Sequence, residues 1–143
     1  MAWTKFGPGT VTYTVDAGTP VSFAGEVKGG GINHAYEEVG EAITYLDGTG
    51  DPASEVRGDS VTFECDFDLT ASGFYSFMWT NDMKDATITY TPNTASGASW
   101  AGTVRVKLPE TATADAFGAK ISGTVNHQFV GPATFTPGTV AVA

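Results

Sequence analysis

Cysteine, basic residues and long apolar runs are scarce in this 143-residue sequence. Its one cysteine, Cys65, cannot form a disulfide within the chain, as expected for assembly in a reducing cytosol. Seven Lys and Arg stand against sixteen Asp and Glu, and the net charge of −9 argues against ordinary nucleic-acid binding and against docking on anionic membranes. No stretch is apolar over a bilayer's width, and the N-terminal MAWTKFGPG lacks the apolar run of a signal peptide.

The composition favours one β-rich globular domain. Apolar residues make up 41% of the chain, and 18 glycines and 7 prolines indicate short strands joined by turns. We expect a single domain over residues 1–143, with an N-terminal arm over about residues 1–9 and a C-terminal arm over about residues 131–143. The last 23 residues carry no Asp, Glu, Lys or Arg, which is unfavourable for a solvated terminus. Within them Phe135, Val140 and Val142 are predicted to contact a neighbouring subunit.

Strict alternation predicts that DSVTFECDFDLT, Asp59–Thr70, is a strand with one buried face. Carboxylates occupy the other face at Glu64, Asp66 and Asp68, ~7 Å apart along the strand. That spacing does not converge on one Ca²⁺ ion, and a glycosidase pair would also need an aromatic-lined groove. The row is either an ordinary solvated face or a surface kept negative for a purpose. The apolar face comprises Val61, Phe63, Cys65, Phe67 and Leu69.

Further strands and one helix are predicted from local patterns. The segment Gly29–Glu41 has no clean period and is predicted to be a long mobile loop, in which His34 and Tyr36 order against a neighbouring subunit. A short helix is expected where Phe74, Phe77 and Met78 lie at helical spacing, capped by Thr70 or Ser72 and ended by Asn81 and Asp82. The other predicted strands lie in GTVTYTV, PVSFAGEVKG, AITYLDGTGDP (which ends in an Asp-Gly turn), ATITYTPN, SWAGTVRVKLP, AKISGTVNHQFVG and ATFTPGTV. The expected fold is all-β with one short helix, as a β-sandwich of antiparallel sheets.

No constellation of residues indicates catalysis or a cofactor. His34 and His127 lie in separate contexts, so no metal-ligand spacing appears, and no GxSxG nucleophile elbow is present. The three tryptophans fall in three different elements, which does not favour a sugar-binding platform. We therefore expect a protein that is not an enzyme and that has no cofactor and no metal.

The order of several short motifs is informative. VSFAGEV is followed by ITYLDGT, a long strand, an aromatic helix, TPNTASGASWAGTVRVKLP and a final VGPATFTP. This order resembles that of the major tail tube proteins of long-tailed (siphovirus-type) bacteriophages, particularly those that infect actinobacteria. The resemblance covers roughly residues 21–137. It departs from the family pattern at TNDMKDA, where a glycine is expected soon after the helix.

The resemblance implies a structural subunit whose sheets join those of its neighbours. Six copies would form a hexameric ring with a β-barrel lumen, and rings would stack into a tube that delivers the viral genome. Expected partners are further copies and other tail proteins, in a virion tail assembled in the bacterial cytoplasm, with DNA passing through without specific binding. Glu64, Asp66 and Asp68 would then face the lumen, where carboxylates repel phosphates. The alternatives are a capsid decoration or head–tail connector protein, or a carbohydrate-binding β-sandwich module.

Overall fold

Two antiparallel sheets and one short helix surround a common core in the computed structural model, which describes residues 3–138. The elements are β1 (Thr10–Val15), β2 (Val21–Ser22), β3 (Val27–Val39), β4 (Ile43–Thr44), β5 (Gly50–Asp51), β6 (Ser54–Asp66), α1 (Phe74–Thr80), β7 (Asp85–Thr91), β8 (Ser99–Arg105), β9 (Ser122–Gln128) and β10 (Thr134–Thr136). One sheet has the strand order β10-β8-β7-β1-β2, a second has the order β3-β6-β9, and β4 and β5 form a small hairpin. The predicted β-sandwich with one helix is therefore confirmed. Within residues 3–138 no helix is long and apolar enough to cross a bilayer.

The core forms where the inward faces of the two larger sheets meet. In β6, Val61, Phe63 and Cys65 are completely buried, as their alternation predicts. The ring of Phe63 contacts Tyr90 of β7 edge-on, with 5.1 Å between ring centroids, and so joins one sheet to the other. Because both faces of such a contact are apolar, it is stabilised mainly by the removal of aromatic surface from water.

One polar bridge also crosses this core. The buried hydroxyl of Tyr13 donates to Nδ1 of the buried His127 at 2.8 Å, and Nε2 of the same ring donates to the carbonyl of Lys107 at 2.9 Å. Only a neutral imidazole protonated on Nε2 satisfies both bonds. Burial, assisted by the charge of Lys107, lowers the pKa of His127 to about 4, although the bond to the carbonyl acts in the opposite direction. The bridge therefore holds the two sheets together only while His127 is uncharged.

Helix α1 takes its N-terminal cap from a distant part of the chain. The predicted cap at Thr70 or Ser72 is wrong, because the cap position is Gly73 and no side-chain cap bond is made there. Instead the carboxylate of Glu26 accepts the backbone N–H of Phe74 at 2.9 Å and, through its other oxygen, that of Asp68 at 2.8 Å. Glu26 lies 48 residues before Phe74, so local sequence does not reveal the cap. The helix ends at Asn81 as predicted.

Two predicted elements differ from the structure. PVSFAGEVKG is not one strand, because the chain turns after β2, where Glu26 N–H donates to the Phe23 carbonyl at 3.0 Å, and β3 begins at Val27. Gly29–Glu41 is not a mobile loop, because it belongs almost entirely to the 13-residue strand β3, paired with β6. Alternation in a sequence reports burial of one face, and the outer half of β3 buries neither face. The local pattern therefore carried no strand signal.

Candidate lumen face and assembly surfaces

Strands β3 and β6 continue beyond the core as a two-stranded arm, residues 35–58. Their pairing runs without interruption from Ala35 opposite Gly58 to Val39 opposite Ser54. The β4-β5 hairpin forms the tip, where Gly48 N–H donates to the Tyr45 carbonyl at 3.0 Å in the predicted Asp-Gly turn. No residue of the arm is buried.

The arm combines exposed apolar side chains with a concentrated negative charge. Six acidic residues and one basic residue give it −5 of the chain's −9. Large apolar side chains exposed together on a ribbon are typical of a surface that becomes covered on assembly. Tyr36, predicted at a subunit interface, is one of them at 65% exposure, and that contact stays a prediction. The exposed apolar residues are Tyr36, Val39, Ile43, Tyr45, Leu46 and Val56.

A buried carboxylate fixes the arm where it leaves the body. Oδ1 of Asp59 accepts from Nδ1 of His34 at 2.6 Å and from Nε of Arg57 at 3.0 Å, and Oδ2 accepts the backbone N–H of Ala133 at 2.8 Å. Burial alone would raise the pKa of Asp59, but the bonds from His34 and Ala133 and the charge of Arg57 hold it below its usual value. Asp59 thereby ties both arm strands to the segment that precedes β10.

Sequence analysis did not identify this cluster, although a signal exists. Asp59 stands two residues before Val61, in the buried phase of the same alternation, and a charge in that phase indicates a partner. His34 was predicted to contact a neighbouring subunit, and the structure shows it bonded to Asp59 within the chain with 44% of its side chain still exposed. Its contact with a neighbour stays a prediction.

The outer face of the three-stranded sheet is polar and nearly free of basic groups. Thr62 lies opposite Asn126 of β9 and Gly31 of β3, and Glu64 lies opposite Thr124 and Gly29. The amide of Asn33 donates to the Thr62 hydroxyl at 2.7 Å across the face. Because β3 contributes glycines beside Glu64, no side chain at those positions covers its carboxylate. This face is the candidate lumen surface.

The three predicted lumen carboxylates lie in different environments. Glu64 is exposed on the sheet and makes no ion pair with any described residue. Asp66 pairs with Lys28 at 3.0 Å and with Lys120 at 3.8 Å, so its charge is largely matched. Asp68 lies beyond the end of β6, where its Oδ1 accepts the N–H of Thr70 at 3.0 Å in a turn.

The strand alternation ends earlier than the sequence pattern indicates. Leu69, predicted on the buried face, is 52% exposed, because the turn at Asp68 takes the chain out of the sheet. Glu64 and Asp66 therefore lie on the outer face of the sheet, whereas Asp68 lies at its end. The assignment of all three to a lumen stays a prediction.

The C-terminal edge strand carries the remaining described interface candidate. Phe135 of β10 is 52% exposed and packs on Trp100 of β8 at 5.1 Å between ring centroids, and Trp100 stacks on Tyr90. β10 is the end strand of its sheet, so one side of its short backbone faces away from the sheet. Val140 and Val142, also predicted at an interface, lie outside the described residues.

This fold occurs in a solved particle tail. A chain of the structure described as "Tail of empty GTA particle computed with helical refinement, C6 symmetry", where GTA denotes a gene transfer agent, aligns with a TM-score of 0.60. The alignment covers 90% of this chain and 95% of that chain at 15% sequence identity. No protein-family model matches the chain, and no curated protein matches it in sequence. At this identity the likeness establishes a shared fold, that of a protein from a phage-like tail.

Proposed function

We propose that this chain is the structural subunit of a bacteriophage-type tail tube. Six copies form a ring, and rings stack into the channel through which the genome is delivered. The fold shared with a C6-symmetric GTA tail supports this proposal, as does the motif order that resembles tube proteins of long-tailed phages. The protein would act in the virion tail after assembly in the host cytoplasm, with a structural and not an enzymatic role.

The observation that carries the proposal is a sheet with one core face, one polar face and two available edges. β3 pairs with β6 alone, and along β9 the side away from β6 carries only the isolated bridge between Thr113 and Ser122 in the described chain. An unpaired strand edge is a template for a strand from another copy. Joining β3 of one copy to the β9 side of the next would continue the sheet around a ring.

The dimensions of such a ring suit a DNA channel. Six copies of the three-stranded sheet would give about 18 strands, and a further row at Thr113 would raise this to about 24. With strands ~4.8 Å apart and tilted by ~40°, the backbone diameter is roughly 35–50 Å. After about 10 Å for side chains on opposite walls, roughly 25–40 Å remain, which exceeds the ~20 Å width of duplex DNA.

The chemistry of the outer face also suits a channel that must not retain DNA. Its hydroxyl, amide and carboxylate groups offer no cations to phosphate, and the two lysines at its margin, Lys28 and Lys120, are engaged by Asp66. A basic wall would bind DNA through release of counterions, whereas an acidic wall repels it. The candidate lumen face is therefore the one that we assign to the channel.

Assembly of the purified protein tests the proposal directly. We expect six-fold rings or tubes by negative-stain electron microscopy, and a scattering mass that rises with protein concentration. A capsid decoration protein would instead remain a monomer or trimer. Monomers or trimers alone at high concentration, with neither rings nor tubes on the grid, would overturn the tube assignment.

A further inference from the structure

An apolar groove lies at the end of the body away from the arm. It has a volume of about 370 Å³, and all the residues that line it are uncharged. Its N-terminal wall is fixed, because Gly7 N–H donates to the Pro92 carbonyl at 2.7 Å and the Asn93 amide donates to the carbonyls of Lys5 and Gly7. The groove is therefore a built feature of the body. It is lined by residues 6–11, Ala24, Gly25, Val27 and residues 90–92.

The arm tip presents an apolar side chain with no contact inside its own copy. Leu46 is fully exposed, at 107% of its reference area. The turn that carries it is ordered, since the Tyr45 hydroxyl donates to Asp51 at 2.8 Å and the Thr49 hydroxyl donates to Asp47 at 2.6 Å. A rigid turn that displays a bare leucine has the form of an anchor for an apolar pocket.

The groove and the tip lie at opposite ends of one strand. β3 begins at Val27, which lines the groove, and ends 13 residues later at Val39, within the arm. A strand of this length spans about 43 Å, so the tip cannot enter the groove of its own copy. A second copy displaced along the strand would bring its groove to the tip. Such a head-to-tail contact repeats without closing on itself and builds a filament.

The charges of the two ends are complementary. The arm carries −5, whereas basic residues directly adjoin the groove lining, Lys5 next to Phe6 and Lys28 next to Val27. The Lys28 side chain is 54% exposed despite its pair with Asp66, so it can face a second acidic partner. Opposite charge at the two ends favours a head-to-tail over a head-to-head approach of copies.

We propose that the arm tip of one copy docks in the groove of the next copy along the tube, with Leu46 as the apolar anchor. Lys5 and Lys28 flank the groove and face the acidic arm. This inference rests on the proposed tube and adds the contact that joins one ring to the next. Contacts within a ring are separate from it, because they use the strand edges of the three-stranded sheet.

Substitution at the tip separates ring formation from stacking. Leu46→Asp should leave folding and rings intact and reduce the mass of sedimentable tubes at least tenfold, because a carboxylate would have to enter an uncharged groove. Phe117→Asp is the matched control, since Phe117 is equally exposed at 109% but lies outside the arm and the groove. We expect it to form tubes as the unmodified protein does.

Cross-linking between copies tests the contact itself. Leu46→Cys and Gly25→Cys proteins are mixed, assembled and treated with a short bis-maleimide. A Cβ at Gly25 meets no atom within 4 Å, and the native Cys65 is buried, so neither complicates the result. We expect a covalent dimer in this mixture and none when Phe117→Cys replaces Leu46→Cys.

The outcomes distinguish the two proposals. If the unmodified protein forms no rings or tubes, the proposed function fails. If it forms tubes, and Leu46→Asp also forms them while the mixture gives no cross-link, the docking inference fails and the tube function stands. Should both Asp variants lose tubes, the cross-link decides, and its absence overturns the docking contact.

Discussion

The inner and outer halves of strands β3 and β6 share one register and differ in what covers them. From Gly58 outward to Ser54 every residue of β6 is exposed, whereas Val61 and Phe63 on the inner half are completely buried. Backbone pairing is the same in both halves, so it does not explain why one half belongs to the core. The difference is the second sheet, which packs on the inner half alone.

This contrast assigns the two halves to different tasks. A two-stranded ribbon is only marginally stable in water by itself, whereas the body is stabilised by apolar burial between sheets. We infer that the body determines the stability of the monomer and that the arm gains most of its order from neighbouring copies. Asp59 lies at the boundary and transmits the position of the body to the arm.

Acid should weaken the body more than any single substitution considered below. The pKa of His127 is lowered to about 4 from about 6.5, so the unfolded chain takes up a proton at a higher pH than the folded chain. The stability that neutral His127 contributes is complete above pH 6.5 and is lost as the pH falls towards 4, by about 3 kcal/mol in total. Urea unfolding at pH 7.5 and 4.5 measures this loss.

The two histidines provide the control for this prediction. His127→Gln should unfold with much less dependence on pH between 6.5 and 4, because its amide does not titrate. His34→Asn, at the base of the arm, should keep the dependence caused by His127. An equal loss of stability in His127→Gln and in the unmodified protein would show that another group is responsible.

The next largest effect compares two valines on the same strand. Val61→Ala should lower the free energy of unfolding by about 2 kcal/mol, because it leaves a cavity between the sheets. Val56→Ala, five residues earlier on the arm and 54% exposed, should change it by less than about 0.5 kcal/mol. Equilibrium denaturation of both variants measures the difference. Similar losses at the two positions would mean that the arm is part of the cooperative fold of the monomer.

The sequence predicts the inner half of this comparison and misses the outer half, for one physical reason. Hydrophobic alternation records which side chains leave water within a single chain, so Val61 to Phe67 announce a strand and Tyr36 and Val39 do not. The arm residues are patterned for a surface that is absent from the isolated subunit. Their strand conformation follows from pairing with β6, which is a long-range property.

The candidate lumen face was predictable in part on the same grounds. Glu64 and Asp66 lie on the outer face as their alternation with Phe63 and Cys65 predicts. The partners of Asp66 were not predictable, because Lys28 and Lys120 reach it from elsewhere in the chain. The same limit applies to Glu26, whose two hydrogen bonds end the strand and begin the helix at positions set by the tertiary fold.

A smaller effect concerns Cys65, which is completely buried as its place in the alternation predicts. Burial first, and then the charges of Glu26 and Asp66, raise the pKa of its thiol to about 12, so it is protonated and inert at neutral pH. Cys65→Ala should cost about 1 kcal/mol. A thiol reagent should label Val56→Cys promptly in the folded protein and Cys65 only on unfolding. Rapid labelling of Cys65 in the unmodified protein would show that β6 opens readily.

The smallest expected effect on the monomer is at Glu64, where the largest functional effect is also expected. Glu64 has no described ion-pair partner and faces Gly29 and Thr124, so Glu64→Lys should change the free energy of unfolding by only a few tenths of a kcal/mol. Asp66→Lys should cost more, up to about 1 kcal/mol, because it places a third cation beside Lys28 and Lys120.

The same pair tests the lumen assignment in assembled tubes. Six copies of Glu64→Lys per ring would line the channel with cations, so such tubes should retain short duplex DNA at low salt and release it at high salt, when unmodified tubes retain none. Co-sedimentation of tubes with labelled DNA measures this retention. Because Asp66 lies nearer the margin of the sheet, Asp66→Lys tubes should retain less DNA. If Glu64→Lys tubes retain no more DNA at low salt than unmodified tubes do, then Glu64 does not face the channel, and the polar face of the three-stranded sheet must lie elsewhere in the assembly.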